Sequence, residues 1–190
     1  MMFTKTVDWN MGRPLTRLLA ASALCMGLLG ACASPPVASD YAQEKPVLDI
    51  AQYFNGTIDA WGMFTDRSGR VVKRFTVVMN CRWDGNVGTL DEDFTYSDGS
   101  SQKRSWTLTK TGNAVVGKAA DVVGEATGLQ AGNAFNMKYT LQVPVDGKTY
   151  DMQFDDWMYL MDEKTMLNRA VMSKFGIELG QVTLSFRKRN

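Results

Sequence analysis

Among the 190 residues of this chain there is no histidine. That absence removes the Ser-His and Cys-His nucleophile systems and the commonest metal ligand, so any catalysis would fall to carboxylates, lysine or tyrosine. No long apolar run occurs either. The most hydrophobic stretch, LLAASALCMGLLGA at residues 18–31, is shorter than the roughly 20 residues a transmembrane helix needs. An excess of one charge is also missing, since 21 basic residues face 20 acidic ones, and such a balance leaves no electrostatic footprint for nucleic acid. The basic run Arg187-Lys188-Arg189 reads as a solvated tail. Helical periodicity is nearly absent: apart from one possible turn over Asp49 to Tyr53, no segment spaces its apolar residues at a period near 3.6.

What is present begins with an address. Arg13 and Arg17 precede the apolar run and Leu29-Gly30-Ala31-Cys32 closes it, the order of a secretory signal. The quartet resembles a bacterial lipobox, in which small residues let a signal peptidase cut before a diacylated cysteine. The resemblance implies a signal peptide over residues 1–31, a lipid on Cys32, and membrane attachment through two or more acyl chains. Met11 opens a more typical signal than Met1 does. Ala33, where an Asp would retain the protein at the inner membrane, implies delivery to the outer membrane with the domain in the periplasm. Cleavage removes Lys5, Arg13 and Arg17 but only Asp8, so the 21 basic and 20 acidic residues become 18 and 19. Of the three cysteines, Cys25 leaves with the signal and Cys32 carries lipid; Cys81 then has no intramolecular partner, and a structural disulfide is excluded. Residues 33–46, ASPPVASDYAQEKP, have the composition of a flexible tether.

The rest, residues 47–190, reads as one all-β domain. Turn signals recur at Asp66-Arg67-Ser68-Gly69, Asp84-Gly85-Asn86, Ser97-Asp98-Gly99, Thr111-Gly112-Asn113, Gly132-Asn133 and Asp146-Gly147, with β-branched and aromatic residues between them. About nine or ten antiparallel strands with short connections would leave long open edges unless the sheet closed. An up-and-down barrel of the lipocalin kind is the economical solution, with a two-sheet sandwich as the alternative.

Strand faces follow from parity, because side chains alternate and directly paired residues share a face. A two-residue Asp146-Gly147 turn pairs Val143 with Tyr150, Leu141 with Met152 and Tyr139 with Phe154, and turns Asp156 inward opposite Met137. In Arg70 to Trp83 the inward set is Val71, Phe75, Val77, Met79, Cys81 and Trp83, which makes Cys81 a buried, inert thiol. Across Gly85-Asn86, Cys81 meets Leu90, Val77 meets Phe94 and Phe75 meets Tyr96, placing Glu92 inside as well. A loop of three or five residues at Asp98-Gly99 keeps the next apolar face inward and pairs Leu90 with Leu108, Glu92 with Trp106 and Phe94 with Arg104. Gly180, where the apolar parity changes, marks a bulge. The turn near Asp162-Glu163 admits two registers. An even loop pairs Asp156 with Arg169 and Phe154 with Val171; an odd loop turns Met166, Ala170 and Met172 inward. The even loop is preferred because it gives an inward carboxylate a cation.

The blocks AWGMFTDRSG, TLDEDFTYSDG, AGNAFNMKYTL and FDDWMYLMDEKTMLNRAVMSKFG resemble those of an uncharacterised bacterial lipoprotein family, domain of unknown function 3833, over roughly residues 47–187. The resemblance implies a lipid-related setting and brings no catalytic residues with it. Three functions compete. The first is a binding module whose barrel holds a fatty acid, a phospholipid or another small apolar ligand, with Lys73, Tyr96, Arg104, Tyr139 and Arg169 meeting its head group; Glu92 with Arg104, and Asp156 with Arg169, can equally be interior ion pairs in a filled core. The second is a hydrolase using Glu92 and Asp156, disfavoured because an arginine beside each keeps both ionised. The third is an envelope interaction protein presenting Trp61, Met63, Trp157, Tyr159 and Met161 outward. Of these the non-enzymatic binding module is preferred, with no cofactor or metal expected.

Overall fold

A computed structural model describes residues 34–145 and 147–189. Ten antiparallel strands follow one another: β1 (Gly56–Asp66), β2 (Val71–Asp84), β3 (Val87–Tyr96), β4 (Ser101–Thr111), β5 (Ala114–Lys118), β6 (Ala126–Ala131), β7 (Ala134–Val145), β8 (Lys148–Leu160), β9 (Thr165–Lys174) and β10 (Ile177–Lys188). Each strand bonds to the next and β10 bonds to β1, so the sheet is a closed up-and-down barrel. Closure leaves no edge strand, although the part of β4 ahead of Thr107 lies beyond the reach of β5. The candidate signal peptide and the candidate lipidation site Cys32 lie outside the described residues.

Alternation builds these strands. In β2, Phe75, Val77, Met79 and Cys81 are buried while Arg74, Thr76, Val78, Asn80 and Arg82 are exposed. The turn to β3 is the two residues Gly85-Asn86, and Gly85 has φ +58°, a conformation that costs an ordinary side chain energy and costs glycine none. The register that follows is Cys81 opposite Leu90, Val77 opposite Phe94 and Phe75 opposite Tyr96, as the parity argument requires. β7 and β8 likewise pair Val143 with Tyr150, Leu141 with Met152, Tyr139 with Phe154 and Met137 with Asp156; the turn residue Asp146 itself lies outside the described residues. The bulge at Gly180 is present between Glu178 and Gly180. A Cβ on Gly180 would stand 2.2 Å from the Thr65 carbonyl oxygen, so glycine is what lets β1 approach there.

Two registers differ from expectation. The turn between β3 and β4 takes the shorter odd loop, so Leu90 faces Trp106, Glu92 faces Arg104 and Phe94 faces Gln102. The Tyr96 amide bonds to the Ser100 carbonyl and Asp98 accepts from both the amide and the hydroxyl of Ser100, closing the loop at three residues. The turn between β8 and β9 is also odd: Phe154 faces Met172, Asp156 faces Ala170 and Met158 faces Asn168. Asp162 sets it, accepting from the amides of Lys164 at 2.8 Å and Thr165 at 2.7 Å. Arg169 therefore points outward, beside Trp157 rather than Asp156, and its Nε donates to Gln181 Oε1 at 2.8 Å. The Asp156–Arg169 ion pair does not form.

One end of the barrel is plugged. A helical turn, α1 (Ile50–Tyr53), is capped by Asp49, whose carboxylate accepts from the amides of Ala51 and Gln52. It delivers Leu48, Ile50, Tyr53 and Phe54 into the core. Gln130 is buried there without penalty because its side chain bonds the Ile50 amide and the Leu48 carbonyl, and the Trp83 indole donates to the Phe54 carbonyl at 2.8 Å.

The segment read as a tether is not loose within residues 36–46. A 3-10 turn at Ala38–Tyr41 buries Ala38. Tyr41 lies with its ring centroid 5.6 Å from that of Trp157 and 5.3 Å from that of Tyr159, so it covers two of the outward aromatics. Trp61, 51% exposed, Met63 and Met161 remain open to solvent.

Candidate binding cavity

Away from the plugged end the barrel is not filled. A cavity of about 240 Å³ opens through the opposite mouth, a volume just under the ~300–1,000 Å³ of ordinary ligand sites. Its walls are mainly apolar. Phe64, Phe75, Phe94 and Tyr96 form a run of ring contacts on one side, with successive centroids 5.0, 5.8 and 6.0 Å apart. Met137, Met158 and Met172 line the other; unbranched thioethers re-pack easily, so the space can change shape around a guest.

Half-way down lies a polar layer. Glu92 on β3 and Arg104 on β4 are directly paired, with Arg104 Nη1 3.7 Å from Glu92 Oε2, too long for a hydrogen bond. Arg104 turns instead to Asp121, which takes its Nε at 2.9 Å and its Nη2 at 2.8 Å. Across the cavity, Tyr139 donates its hydroxyl to Asp156 Oδ2 at 2.9 Å and Asn168 donates its amide to Asp156 Oδ1. Two neutral donors thus hold the carboxyl expected to need a cation.

Asp121 reaches this layer because the barrel wall is thin at one place. β5 and β6 are short, and β4 pairs with β5 only from Thr107 onward. Beyond them residues 119–125 bridge the gap as a loop: the Gln142 amide donates to the Asp121 carbonyl at 2.8 Å, the Val123 amide to the Thr140 carbonyl at 2.9 Å, and Lys118 Nζ meets Glu125 Oε1 at 2.9 Å across the loop's base.

Burial governs the electrostatics. It pushes Glu92 up to about 7, with Arg104 opposing and Asp121 and Asp156 reinforcing the rise. It also pushes Asp156 up to about 6, against the hydrogen bonds from Tyr139 and Asn168. Burial alone would lower Arg104; the Glu92 and Asp121 carboxylates outweigh it and hold the guanidinium above its ordinary value. Arginine therefore does not keep these two carboxyls ionised: burial outweighs Arg104 at Glu92, and Arg169 does not stand beside Asp156. Cys81 is buried as expected, and burial with nearby Glu92 and Asp91 pushes its thiol up to about 12, which keeps the nucleophilic thiolate scarce at neutral pH.

Of the five candidate ligand-binding residues, Tyr96, Arg104 and Tyr139 line the cavity. Lys73 stands at its rim, with Nζ 2.9 Å from Asp98 and 4.2 Å above the Tyr96 ring. Arg169 is outside. Asp121 and Asn168 escaped the sequence reading. Nothing in the AADVVGEA stretch marks Asp121 as inward, whereas Asn168 was reachable, since the odd register that was set aside puts it opposite Met158.

Among the solved structures that match, two illustrate the shared architecture. A protein of unknown function from the DUF3598 family of Nostoc punctiforme is 16% identical, with a TM-score of 0.55 over 83% of this chain and 53% of its own; the present chain thus spans about half its length. The S-type phycobiliprotein lyase CPES from Guillardia theta is 7% identical, with a TM-score of 0.56 over 82% of this chain and 99% of its own. At such identities the likeness is one of fold. A comparison with curated proteins returns no match. The family described as protein of unknown function (DUF3833) matches residues 26–188, which takes in the segment ahead of Val47 as well as the barrel, and the chain belongs to that family.

Proposed function

We propose that this chain is an envelope lipoprotein, anchored to the outer membrane through a lipid on Cys32, whose periplasmic barrel binds a small, largely apolar ligand. One observation carries the reading: a cavity of about 240 Å³, walled by aromatic and methionine side chains, opens at one end of a barrel whose other end is plugged. A chain that only needed stability would fill that space, because voids forfeit dispersion contacts. The volume favours a short ligand, or an acyl chain that projects through the mouth. A whole phospholipid is too large for it.

A second reading, a carboxylate-dependent hydrolase, gains from Glu92 and Asp156, whose raised values suit a general acid. Asp156 argues against it: both its oxygens are engaged by Tyr139 and Asn168, which is the bonding of a structural carboxyl.

The barrel unit, residues 36–190, is compact and closes its sheet on itself, so it serves as the test protein. An environment-sensitive apolar dye such as N-phenylnaphthylamine should brighten in it and be displaced by lipid extracts. Ala170, buried and facing the cavity from β9, gives the control. Ala170→Phe should fill the space and weaken dye binding at least tenfold while the circular dichroism stays unchanged; equal binding by the two proteins would defeat the reading. Acyl labelling that is identical in the full chain and Cys32→Ser would defeat the anchor.

A further inference from the structure

Resting on that reading of the barrel as a binding site, we propose that its polar layer selects ligands ending in a protonated primary amine, with Glu92 and Asp121 receiving the ammonium group. Fatty acids and other carboxylates are then poor ligands, although the family resemblance implies a lipid-related setting.

The layer's charge is the first ground. Three acids, Glu92, Asp121 and Asp156, line the cavity, and among the described lining residues Arg104 is the one cation. Its three nitrogens are all turned to carboxylates: Nε and Nη2 to Asp121, Nη1 toward Glu92. An entering carboxylate would have to displace Asp121 from Arg104 and sit among three acids. Lys73, the next cation, is already held by Asp98 at the rim.

Unfilled acceptors are the second. Glu92 Oε2 and Asp121 Oδ1 are both buried with no hydrogen-bond partner. Buried polar atoms are almost always satisfied, so two acceptors without a protein partner beside one cavity call for a donor from water, an ion or a ligand. These two belong to neighbours of the same guanidinium and border the same cavity. The Glu92 side chain is 13% exposed and that of Asp121 25%, so solvent or a ligand reaches them through the cavity. An ammonium carries three donors and no acceptor, a hydroxyl one donor with acceptors of its own, and a carboxylate no donor. Only the first fills two acceptors at once without presenting a lone pair to a third acid. The walls suit it too, since Phe94, Tyr96, Tyr139 and Trp106 surround the layer and aromatic faces attract a desolvated cation. A bare metal ion fits less well: among the described residues no group of three or more His, Cys, Asp or Glu side chains is placed to hold one.

The test compares three probes of one chain length, octylamine, octanol and octanoate, each displacing N-phenylnaphthylamine from the barrel unit at pH 8, where Glu92 is ionised and the amine still carries its proton. Octylamine should bind at least tenfold more tightly than octanol, and octanoate weakest. Glu92→Gln, which keeps the shape and removes the charge, should cut the amine's advantage over octanol at least tenfold and leave octanol unchanged. Asp121→Asn should act in the same direction, and it keeps the comparison open if Glu92→Gln does not fold. Octanoate or octanol binding as tightly as octylamine, or an amine preference untouched in both variants, overturns the inference while the dye still reports a binding barrel. Failure of the dye and of all three probes to bind overturns the barrel reading itself, and the inference with it.

Discussion

Raising the pH from 5 to 7.5 should weaken this fold, and Glu92 should account for the upper part of the loss. Burial penalises the ionised carboxylate, so the native state keeps its proton up to about pH 7, whereas an ordinary glutamate releases it near 4.5. The unfolded chain therefore gives up the proton first. The stabilisation is complete below about pH 4.5 and is lost as pH rises to about 7. At 1.36 kcal/mol per pK unit the loss comes to about 3 kcal/mol. The cavity opens to solvent, and water near the carboxyl raises the local dielectric, so this figure is a ceiling. Asp156, pushed up to about 6 from 3.8, adds a fall of the same sign at lower pH, between about 4 and 6. The surface carboxylates work the other way: Asp59, Asp66, Asp91, Asp98 and Asp162 are held below their ordinary values by hydrogen bonds from Arg189, Ser68, Ser105, Ser100 and Lys164 in turn, and their contribution disappears only below about pH 4. Stability should thus peak near pH 4 to 5. Urea denaturation of the barrel unit at half-unit steps gives the curve directly. Glu92→Gln should flatten it above pH 6 and leave only the Asp156 fall, between about pH 4 and 6, in place. A variant whose stability still drops between pH 6 and 7.5, or a natural chain whose stability rises there, would falsify the assignment of that proton to Glu92.

Three further predictions follow from packing. Phe175 has φ +52° and is 87% exposed, a left-handed conformation that an aromatic residue adopts at a cost; Phe175→Asn should raise stability by up to about 1 kcal/mol in urea denaturation, and a loss would show that the ring contributes more than the backbone costs. A Cβ on Gly132, at φ +52°, would stand 1.7 Å from the Tyr41 carbonyl oxygen, so Gly132→Ala should cost about 1–2 kcal/mol through the backbone alone and release residues 36–46 to limited proteolysis; unchanged protection would mean that this segment is held elsewhere. Cys81 should react with maleimide slowly in the folded barrel and quickly in denaturant, and rapid labelling of the folded protein at neutral pH would contradict its burial.

How far the sequence could be read depended on what closes each turn. Where two residues join two strands, as at Gly85-Asn86, parity and turn chemistry agree and the pairs come out residue by residue. Where the loop has three residues, hydrogen bonds accepted by the Asp98 and Asp162 carboxylates decide, and the apolar pattern alone leaves alternatives open. The β8–β9 register turns on an energetic point: an inward Asp156 needs no cation, because burial can raise a carboxyl's pKa instead and neutral donors then suffice. Tyr139 and Asn168 supply them, Met166 and Ala170 gain burial, and the rejected alternative would have brought the Arg169 guanidinium inside.

The cavity was the least legible feature, for a related reason. Parity says which side chains face inward and nothing about whether they meet in the middle. On β9 the inward set is Met166, Asn168, Ala170 and Met172, and the small Ala170 lies opposite Asp156. On β3 and β4 the corresponding layer holds Glu92 and Arg104. Apolar side chains packed tightly against that layer would strip its charges of remaining solvation, and the penalty for an incompletely paired carboxylate grows as water is excluded. Leaving space beside the polar layer lowers that penalty at the expense of dispersion contacts. The polar layer and the cavity are thus one physical feature. It follows that replacing the Glu92, Arg104 and Asp121 side of the layer, by Glu92→Leu, Arg104→Met and Asp121→Leu together, removes most of the penalty and most of the reason for the space. That triple variant should gain stability at neutral pH, as replaced buried ion pairs often do by about 1–4 kcal/mol, and lose its discrimination among octylamine, octanol and octanoate. A triple variant less stable than the natural chain would mean that the charges hold the 119–125 loop in the wall, and that the bond from Arg104 to Asp121 matters more to closure than to binding.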